Sequence, residues 1–384
     1  MQKKKVIKLF LKYLLKDLKE TLTDIDIIIL LFIGPIFLTL LFGGVYVNDY
    51  LEDIPIGVLD YDNSSTSRMI VQSFDENERF NIVKYPKTKK ELKGLLDSKD
   101  IHMGLVIPND FSKDITNIKA PKAVILVDGS NMVIGNNAYA HATNIIQTIA
   151  SGTQIKILKA KGNLSDRAMS LAMPFKFTDR LLYDPKMTYI NYLLLGFIAV
   201  FLQQVTLSGV GISVIKKGEK LAEKKTLKRL FSKVFSCGFF SVLSTFISVA
   251  IANKIFNIPI RGNLSLALLM SILFVLAISA PAIIIASILK DKVKYAQIAY
   301  MLSLPTFAGC GYIWTIDQLP KPLVFVTKLL WPLIYFARDF VEVLFKNLAF
   351  ESVKDNLIQM GIYTVIWMIV AVIIFKKRFK VKKA

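Results

Sequence analysis

The chain has 384 residues, 53% of them hydrophobic, and a mean hydropathy of +0.48, which excludes an ordinary soluble protein of this size. A net charge of +20 could suggest nucleic acid, but the lysines gather at the ends of apolar runs, where a polytopic protein sets its topology, so no nucleic-acid partner is expected. Cys237 and Cys310 lie inside apolar runs, and His102 and His141 stand far apart without ligand-spaced neighbours, so neither a disulfide framework nor a metal site is expected.

Residues 1–26 alternate Lys3, Lys4, Lys5, Lys8, Lys12, Lys16 and Lys19 with Ile7, Leu9, Phe10, Leu14, Leu15 and Leu18. That pattern predicts an amphipathic helix on the cytoplasmic membrane surface rather than a cleaved signal peptide. Residues 27–47 form the first expected span, with Pro35 near its middle as a predicted kink. Residues 48–188 are polar and mixed, and read as an α/β extracytoplasmic domain. Strands are predicted at Ile54–Leu59, Phe80–Tyr85, Met103–Ile107 and Ala123–Val127, with helices over Ser65–Phe74 and Lys89–Ser98. A long helix is predicted from Asn137 to about Leu171.

Residues 189–375 carry five more expected spans: Tyr189–Ile215, Val234–Ala252, Leu264–Leu289, Tyr295–Ile316 and Leu357–Phe375. Between the last two, residues 317–356 contain Pro320, Pro322 and Pro332 among Phe, Leu and Trp331, as in shallow or re-entrant helices at the outer surface. The tail, 376–384, is basic. The expected architecture is a polytopic α-helical membrane protein of six transmembrane helices, with the α/β domain between helices 1 and 2. Lysine and arginine mark the amino-terminal stretch, the 216–233 loop, Lys290, Lys292 and Lys294, and the tail. Both termini are therefore expected in the cytoplasm of a multi-pass cell-membrane protein.

The stretch 216–233 (KKGEKLAEKKTLKRLFSK) is the most informative. Leu221, Leu227, Leu230 and Phe231 recur at helical spacing among eight basic residues, so it reads as a short amphipathic helix on the inner surface. One reading is a solvated loop that only fixes orientation; the other is a helix that docks into a cytosolic partner. No phosphate-cradling G-x-x-x-x-G-K-[ST] loop occurs, and Gly209-Val210-Gly211 lacks the third glycine of a dinucleotide fingerprint. H-E-x-x-H, C-x-x-C and G-x-S-x-G are absent as well, so no catalytic residue and no bound cofactor is expected. Gln203, Gln204, Thr206 and Ser208 form a polar cluster inside the second span. It suits either hydrogen bonding between helices or the lining of a substrate path.

Several stretches together resemble the ABC-2 type (type V) ABC transporter permeases of bacteria, over nearly the whole chain. Glu223-Lys224-Lys225-Thr226-Leu227-Lys228-Arg229-Leu230 is similar to the family's coupling-helix pattern E-x-G-T-L-x-x-L, with Lys225 in place of the glycine. Leu304 to Gly309, Gln318-Leu319-Pro320 and Trp331 to Arg338 resemble its outward re-entrant region. Val58 to Ser64, Val106 to Phe111 and Val127 to Ser130 resemble ectodomain elements. The resemblance implies an exporter subunit that pairs with a second permease subunit and takes its work from a separate ATP-binding cassette ATPase, which holds ATP and Mg. It implies coupling through Glu219, Glu223, Thr226, Leu227 and Leu230, and a substrate path near Gln203, Gln204 and Thr206. The scarcity of charge in the spans suggests an amphipathic or lipid-like substrate and contact with membrane lipid. The alternative is a membrane-anchored receptor or secretion-accessory protein of the phage-infection type. Such proteins carry a longer coiled-coil ectodomain than the roughly 140 residues available here, which hold no sustained heptads.

Overall fold

A computed structural model of the chain describes residues 2–47, 51–173, 175, 180–185, 187–222, 227–289 and 291–379. They form two compact units, Tyr50–Arg180, and Met1–Asp49 with Leu181–Ala384.

The amino-terminal stretch is α1 (Gln2–Thr23). The first apolar run is not one regular helix. A short α2 (Ile25–Ile28) passes through a π-helical turn at Ile29–Ile33 into α3 (Gly34–Val45). Pro35 explains the turn: it has no N–H to give and its ring crowds the preceding turn. The wider π geometry, in which Gly34 N–H reaches back to Ile29 O, accommodates both. Pro35, Thr39 and Gly43 then form the buried stripe of α3.

The unit Tyr50–Arg180 runs β1 (Ile54–Asp60), α4 (Ser65–Asp75), β2 (Phe80–Lys84), α5 (Lys89–Asp97), β3 (Met103–Ile107), α6 (Phe111–Thr116), β4 (Val124–Val127), α7 (Met132–Ala160) and α8 (Ser165–Ala172). The sheet order is β2-β1-β3-β4, with β1 parallel to β2 and β3, and β4 antiparallel to β3. The central strands read as continuous apolar runs because both their faces are covered. Ile56, Val58 and Leu105 join Ile70 and Phe74 of α4 and Ala138 and Ala142 of α7 in one core. Leu59 and Val106 pack with Leu92 of α5 in another. Gly57 and Gly104 are paired across the two strands, and a Cβ on Gly104 would lie 2.9 Å from the Leu92 methyls. The glycine pair is the trough that admits that leucine.

The expected helix over 137–171 is two helices. Asn131 caps α7 six residues earlier than expected by accepting from Val133 N and Ile134 N. Gly162, at φ +85°, ends the turn after α7, and Asn163 N–H returns to Leu158 O. The first two ectodomain motifs meet at the carboxyl ends of β1 and β3. Asp62 accepts from Ser112 N at 3.2 Å, the Thr66 and Ser112 hydroxyls lie 3.1 Å apart, and Asp60 closes its own turn on Asp62 N and Asn63 N.

The remaining helices are α9 (Tyr189–Ala222), α10 (Leu227–Lys254), α11 (Leu264–Ile288), α12 (Lys292–Gly309), α13 (Lys321–Leu330), α14 (Ala337–Lys346) and α15 (Phe350–Arg378). Among the described residues, four helices are long and apolar enough to cross a membrane: Tyr189–Lys216, Lys228–Lys254, Leu264–Ile288 and Phe350–Arg378; Ile29–Val45 is a shorter apolar helix. Two expected boundaries move. The span expected at Tyr295–Ile316 is α12, which starts at Lys292 and stops at Gly309, because Gly311 at φ +81° turns the chain away. The last helix starts at Phe350 and takes seven residues from the expected re-entrant segment. Nothing between Phe350 and Asn356 breaks a helix, and Glu351 lies favourably in the first turn. The rest of that segment is as broken as its prolines require: 3₁₀ turns at Ile316–Gln318 and Pro332–Tyr335 flank α13.

The centre of this unit is α9, with 78% of its most apolar stretch buried, against 22% for α15. Close approach explains its glycines. A Cβ on Gly196 would lie 2.2 Å from the Tyr312 ring, and one on Gly211 would lie 2.0 Å from Tyr295. Gly211, part of the incomplete dinucleotide pattern, is thus a seat for a buried tyrosine.

Candidate functional site

At the basic end the backbone departs from the expected picture. The stretch 216–233 is not a separate surface helix: α9 continues through it to Ala222 and α10 begins again at Leu227. Glu223 and Thr226 lie outside the described residues, as do the side chains of Glu219 and Leu227. Leu230 is fully buried in the main core of its own chain, so its face is closed to a partner.

What lies beside it is a polar seam between α1 and α10. Ser232 Oγ donates to the Asp17 carboxylate, the Thr21 and Ser236 hydroxyls meet at 3.0 Å, and Lys233 Nζ donates to Thr21 Oγ1 at 2.8 Å. Thr21 and Lys233 are 1% and 2% exposed. At the two ends of the seam, Arg229 lies 4.9 Å over the Tyr13 ring, and Lys216 of α9 pairs with Asp24 at 3.2 Å. The seam follows from helical spacing. Tyr13, Asp17, Thr21 and Asp24 recur at four, four and three residues, and Arg229, Ser232, Lys233 and Ser236 at three, one and three, so each set shares a face. Leu11, Leu15 and Leu22 form a separate exposed stripe on α1.

Halfway along α9, Gln203 and Gln204 point to different partners. Trp331 Nε1 can only donate, and it donates to Gln203 Oε1 at 2.6 Å, which turns Gln203 Nε2 toward Thr306 Oγ1 at 3.1 Å. Gln204 Nε2 donates to Ser208 Oγ at 3.3 Å, and its Oε1 accepts from Ser303. Both glutamines therefore tie α9 to α12, and Gln203 also ties it to the 3₁₀ turn at Pro332. Thr206 Oγ1 is buried and, among the described residues, finds no hydrogen-bond partner. Tyr295 adds a bond the sequence did not reveal, from its hydroxyl to Leu207 O at 2.6 Å.

At the other end of α9 a cleft of about 320 Å³ opens between Tyr192, the 311–315 turn and α14. Tyr192 and Tyr312 stack with centroids 5.1 Å apart, and each hydroxyl donates to the other's backbone carbonyl. Arg338 and Lys346 both bond Glu342 Oε1, at 3.3 and 3.0 Å. A second, wider groove of about 670 Å³ between α10 and α11 is walled almost wholly by apolar side chains, such as Phe239, Leu243 and Leu268.

The family model described as "ABC-2 family transporter protein" matches residues 25–373. The chain belongs to this family. As a membrane permease of an ABC transporter it implies an ATPase subunit as partner. It is similar to the probable multidrug ABC transporter permease YbhR of Escherichia coli K12, at 20% identity over 311 residues, covering 79% of this chain and 80% of that one. It is also similar to the probable multidrug permease YbhS of the same organism, at 20% identity over 338 residues and 84% of each chain. The inner membrane transport permease YhhJ matches at 21% identity over 336 residues, 84% of this chain and 85% of that one. In this ABC-2 permease the Gln203–Trp331 bond joins two stretches that the sequence reading had treated apart, the polar cluster and the re-entrant region. The aromatic partner could have been anticipated only by knowing which helix faces α9.

Proposed function

We propose that this chain is the membrane-spanning permease subunit of an ABC exporter, with six crossings and both ends on the cytoplasmic side. In this reading a separate ATPase grips the basic end, two permease subunits act together, and an amphipathic substrate moves outward. One observation carries the coupling: α9 and α10 run through the basic stretch as continuous helices, leaving four residues, 223–226, between Ala222 and Leu227. A load applied by a closing ATPase at the ends of these two helices acts directly on both. The α1 seam makes the helices and the surface helix one body. If the ATP-bound ATPase binds this end differently from the nucleotide-free form, the permease is biased between conformations.

The second subunit is placed on the face of α12 and α13. Met301 and Leu304 are each 78% exposed, and α13 buries no residue. Yet α12 falls short of the apolar length of a lipid-exposed span, and Gln204, Ser303 and Thr306 stand behind it. Apolar contact in front of a polar seam fits a protein partner and a substrate path along Gln203, Gln204 and Thr206 better than lipid. Two of the similar permeases are named as probable multidrug permeases, which agrees with an amphipathic substrate.

Cysteine labelling in intact cells tests the orientation. Cys237 and Cys310 are buried, so the background is low. A Lys224→Cys variant should react with an impermeant maleimide only after permeabilisation, and a Lys122→Cys variant should react without it. The reverse pattern overturns the orientation and the export direction drawn from it.

A further inference from the structure

The cleft at the far end of α9 is built for a particular chemistry. On one helix, Tyr192 and Lys216 are separated by about 36 Å at 1.5 Å per residue, so the cleft and the basic end lie on opposite sides of a membrane-thick body. One wall is largely aromatic and aliphatic, with the neutral side chains of Asn191 and Thr315 at its edge. The Tyr192 and Tyr312 hydroxyls are spent on backbone carbonyls, and Ile313, 40% exposed, continues the apolar surface.

The other wall is a charged stripe on α14: Arg338, Glu342 and Lys346 at intervals of four residues. Glu342 is the least exposed of the three, at 21% against 51% and 38%, and it holds both cations. Its charge is therefore compensated within the stripe. Arg338 reaches Glu342 through Nε, and among the described residues nothing accepts from its two Nη groups. Among the described residues of the cleft the other carboxylate is Asp184, which is committed to the start of α9, accepting from Thr188 N at 3.0 Å and Thr188 Oγ1 at 3.3 Å. The charged valence left open in the cleft is thus N–H donation from a guanidinium and an ammonium, set against aromatic and aliphatic surface and the neutral groups of Asn191 and Thr315. A guanidinium with both Nη groups open suits a tetrahedral oxyanion, which it can grip with two parallel bonds. At about 320 Å³ the volume lies near the small end of ligand pockets, enough for a headgroup and its first carbons with longer chains outside.

We propose that this cleft binds the phosphate-type anionic headgroup of an amphiphile, held by Arg338 and Lys346 against the Tyr192–Tyr312 wall. The site's role as a holding point for an outgoing molecule rests on the export reading; the binding itself does not.

The test uses the purified full-length chain in detergent, without ATPase, and three probes: dioctanoyl phosphatidylglycerol, a cationic amphiphile of the same chain length, and inorganic phosphate. Microscale thermophoresis should show saturable binding of phosphatidylglycerol and weaker binding of the other two. Arg338→Gln and Lys346→Gln should each weaken that binding at least about tenfold, the scale of one charge-assisted contact. Arg338→Lys, which keeps the charge but loses the fork, should fall between. Ile313→Glu, at an exposed wall position, should abolish it. All three positions are surface-accessible, and elution volume and thermal midpoint should stay at wild-type values in all four variants. If phosphatidylglycerol binds equally to wild type and Ile313→Glu, or if the cationic amphiphile binds better, the proposal is overturned. Phosphate binding as tightly as the lipid would overturn the amphiphile and leave a bare anion site. Binding that holds while a reconstituted complex fails to export overturns only the export reading; export that persists without binding overturns only this site.

Discussion

Replacing Thr21 with Val tests the α1–α10 seam while keeping side-chain shape. The Thr21 hydroxyl accepts from Lys233 Nζ at 2.8 Å, meets Ser236 Oγ at 3.0 Å and donates to Asp17 O at 2.8 Å. Loss of a hydrogen bond to a charged group costs roughly 1.5–3 kcal/mol, and loss of a neutral one about 1 kcal/mol. With one charged and two neutral bonds lost, Thr21→Val should cost roughly 3.5–5 kcal/mol, because Lys233, at 2% exposure, has little water to turn to. In a Lys233→Met background the charged contribution is already gone, and the same change should cost only about 2 kcal/mol for the two neutral bonds. Thermal unfolding of the purified chain in detergent reads the four corners of this cycle. Limited trypsin digestion at the exposed Lys16 reads release of α1 separately. Equal shifts for Thr21→Val in both backgrounds, with unchanged digestion, would refute the seam as a coupled buried network.

Gln203→Leu leaves the Trp331 indole N–H and the Thr306 hydroxyl without their shared partner. Interhelical bonds of this kind are worth about 1–2 kcal/mol in membranes, so the detergent thermal midpoint should fall by a few degrees, and Trp331 fluorescence should change with it. In the α/β unit, burial, with the Arg79 charge second, holds His141 below the ordinary imidazole value. The unfolded chain then takes up this proton more readily, so stability is full above about pH 6.5 and declines as pH falls through that value toward the lower folded one. Hydrogen exchange along α7 should show reduced protection at pH 5.5 relative to pH 7.5 after correction for intrinsic rates. His141→Gln should flatten the difference, and a difference that persists would exclude His141 as its source.

Local signals were strong where one residue type decides the backbone. The strands at Ile54, Phe80, Met103 and Val124 follow from short apolar runs between turn residues, and Pro320, Pro322 and Pro332 mark the broken region after α12. The split of α7 from α8 was written in Lys161-Gly162-Asn163, a helix stop outweighed in the reading by the apolar residues around it. The continuation of α9 to Ala222 was hidden for a different reason. Lys216, Lys217 and Lys220 mark a membrane boundary, but lysine is also a good helix former, so charge ended the span without ending the helix. The α1–α10 seam and the Gln203–Trp331 bond join residues 215 and 128 positions apart, and no spacing rule reaches that far. Leu230 belongs to the same long-range class: its burial in the core of its own chain depends on helices that no local spacing names.

The most direct test is ATP hydrolysis by this permease purified together with its ATPase, comparing wild type with Glu223→Arg, a position between α9 and α10 in the sequence. The account predicts that both chains reach the membrane in normal amounts while substrate-stimulated hydrolysis is lost. Full stimulation in the variant would contradict transmission through the basic stretch between the two helices.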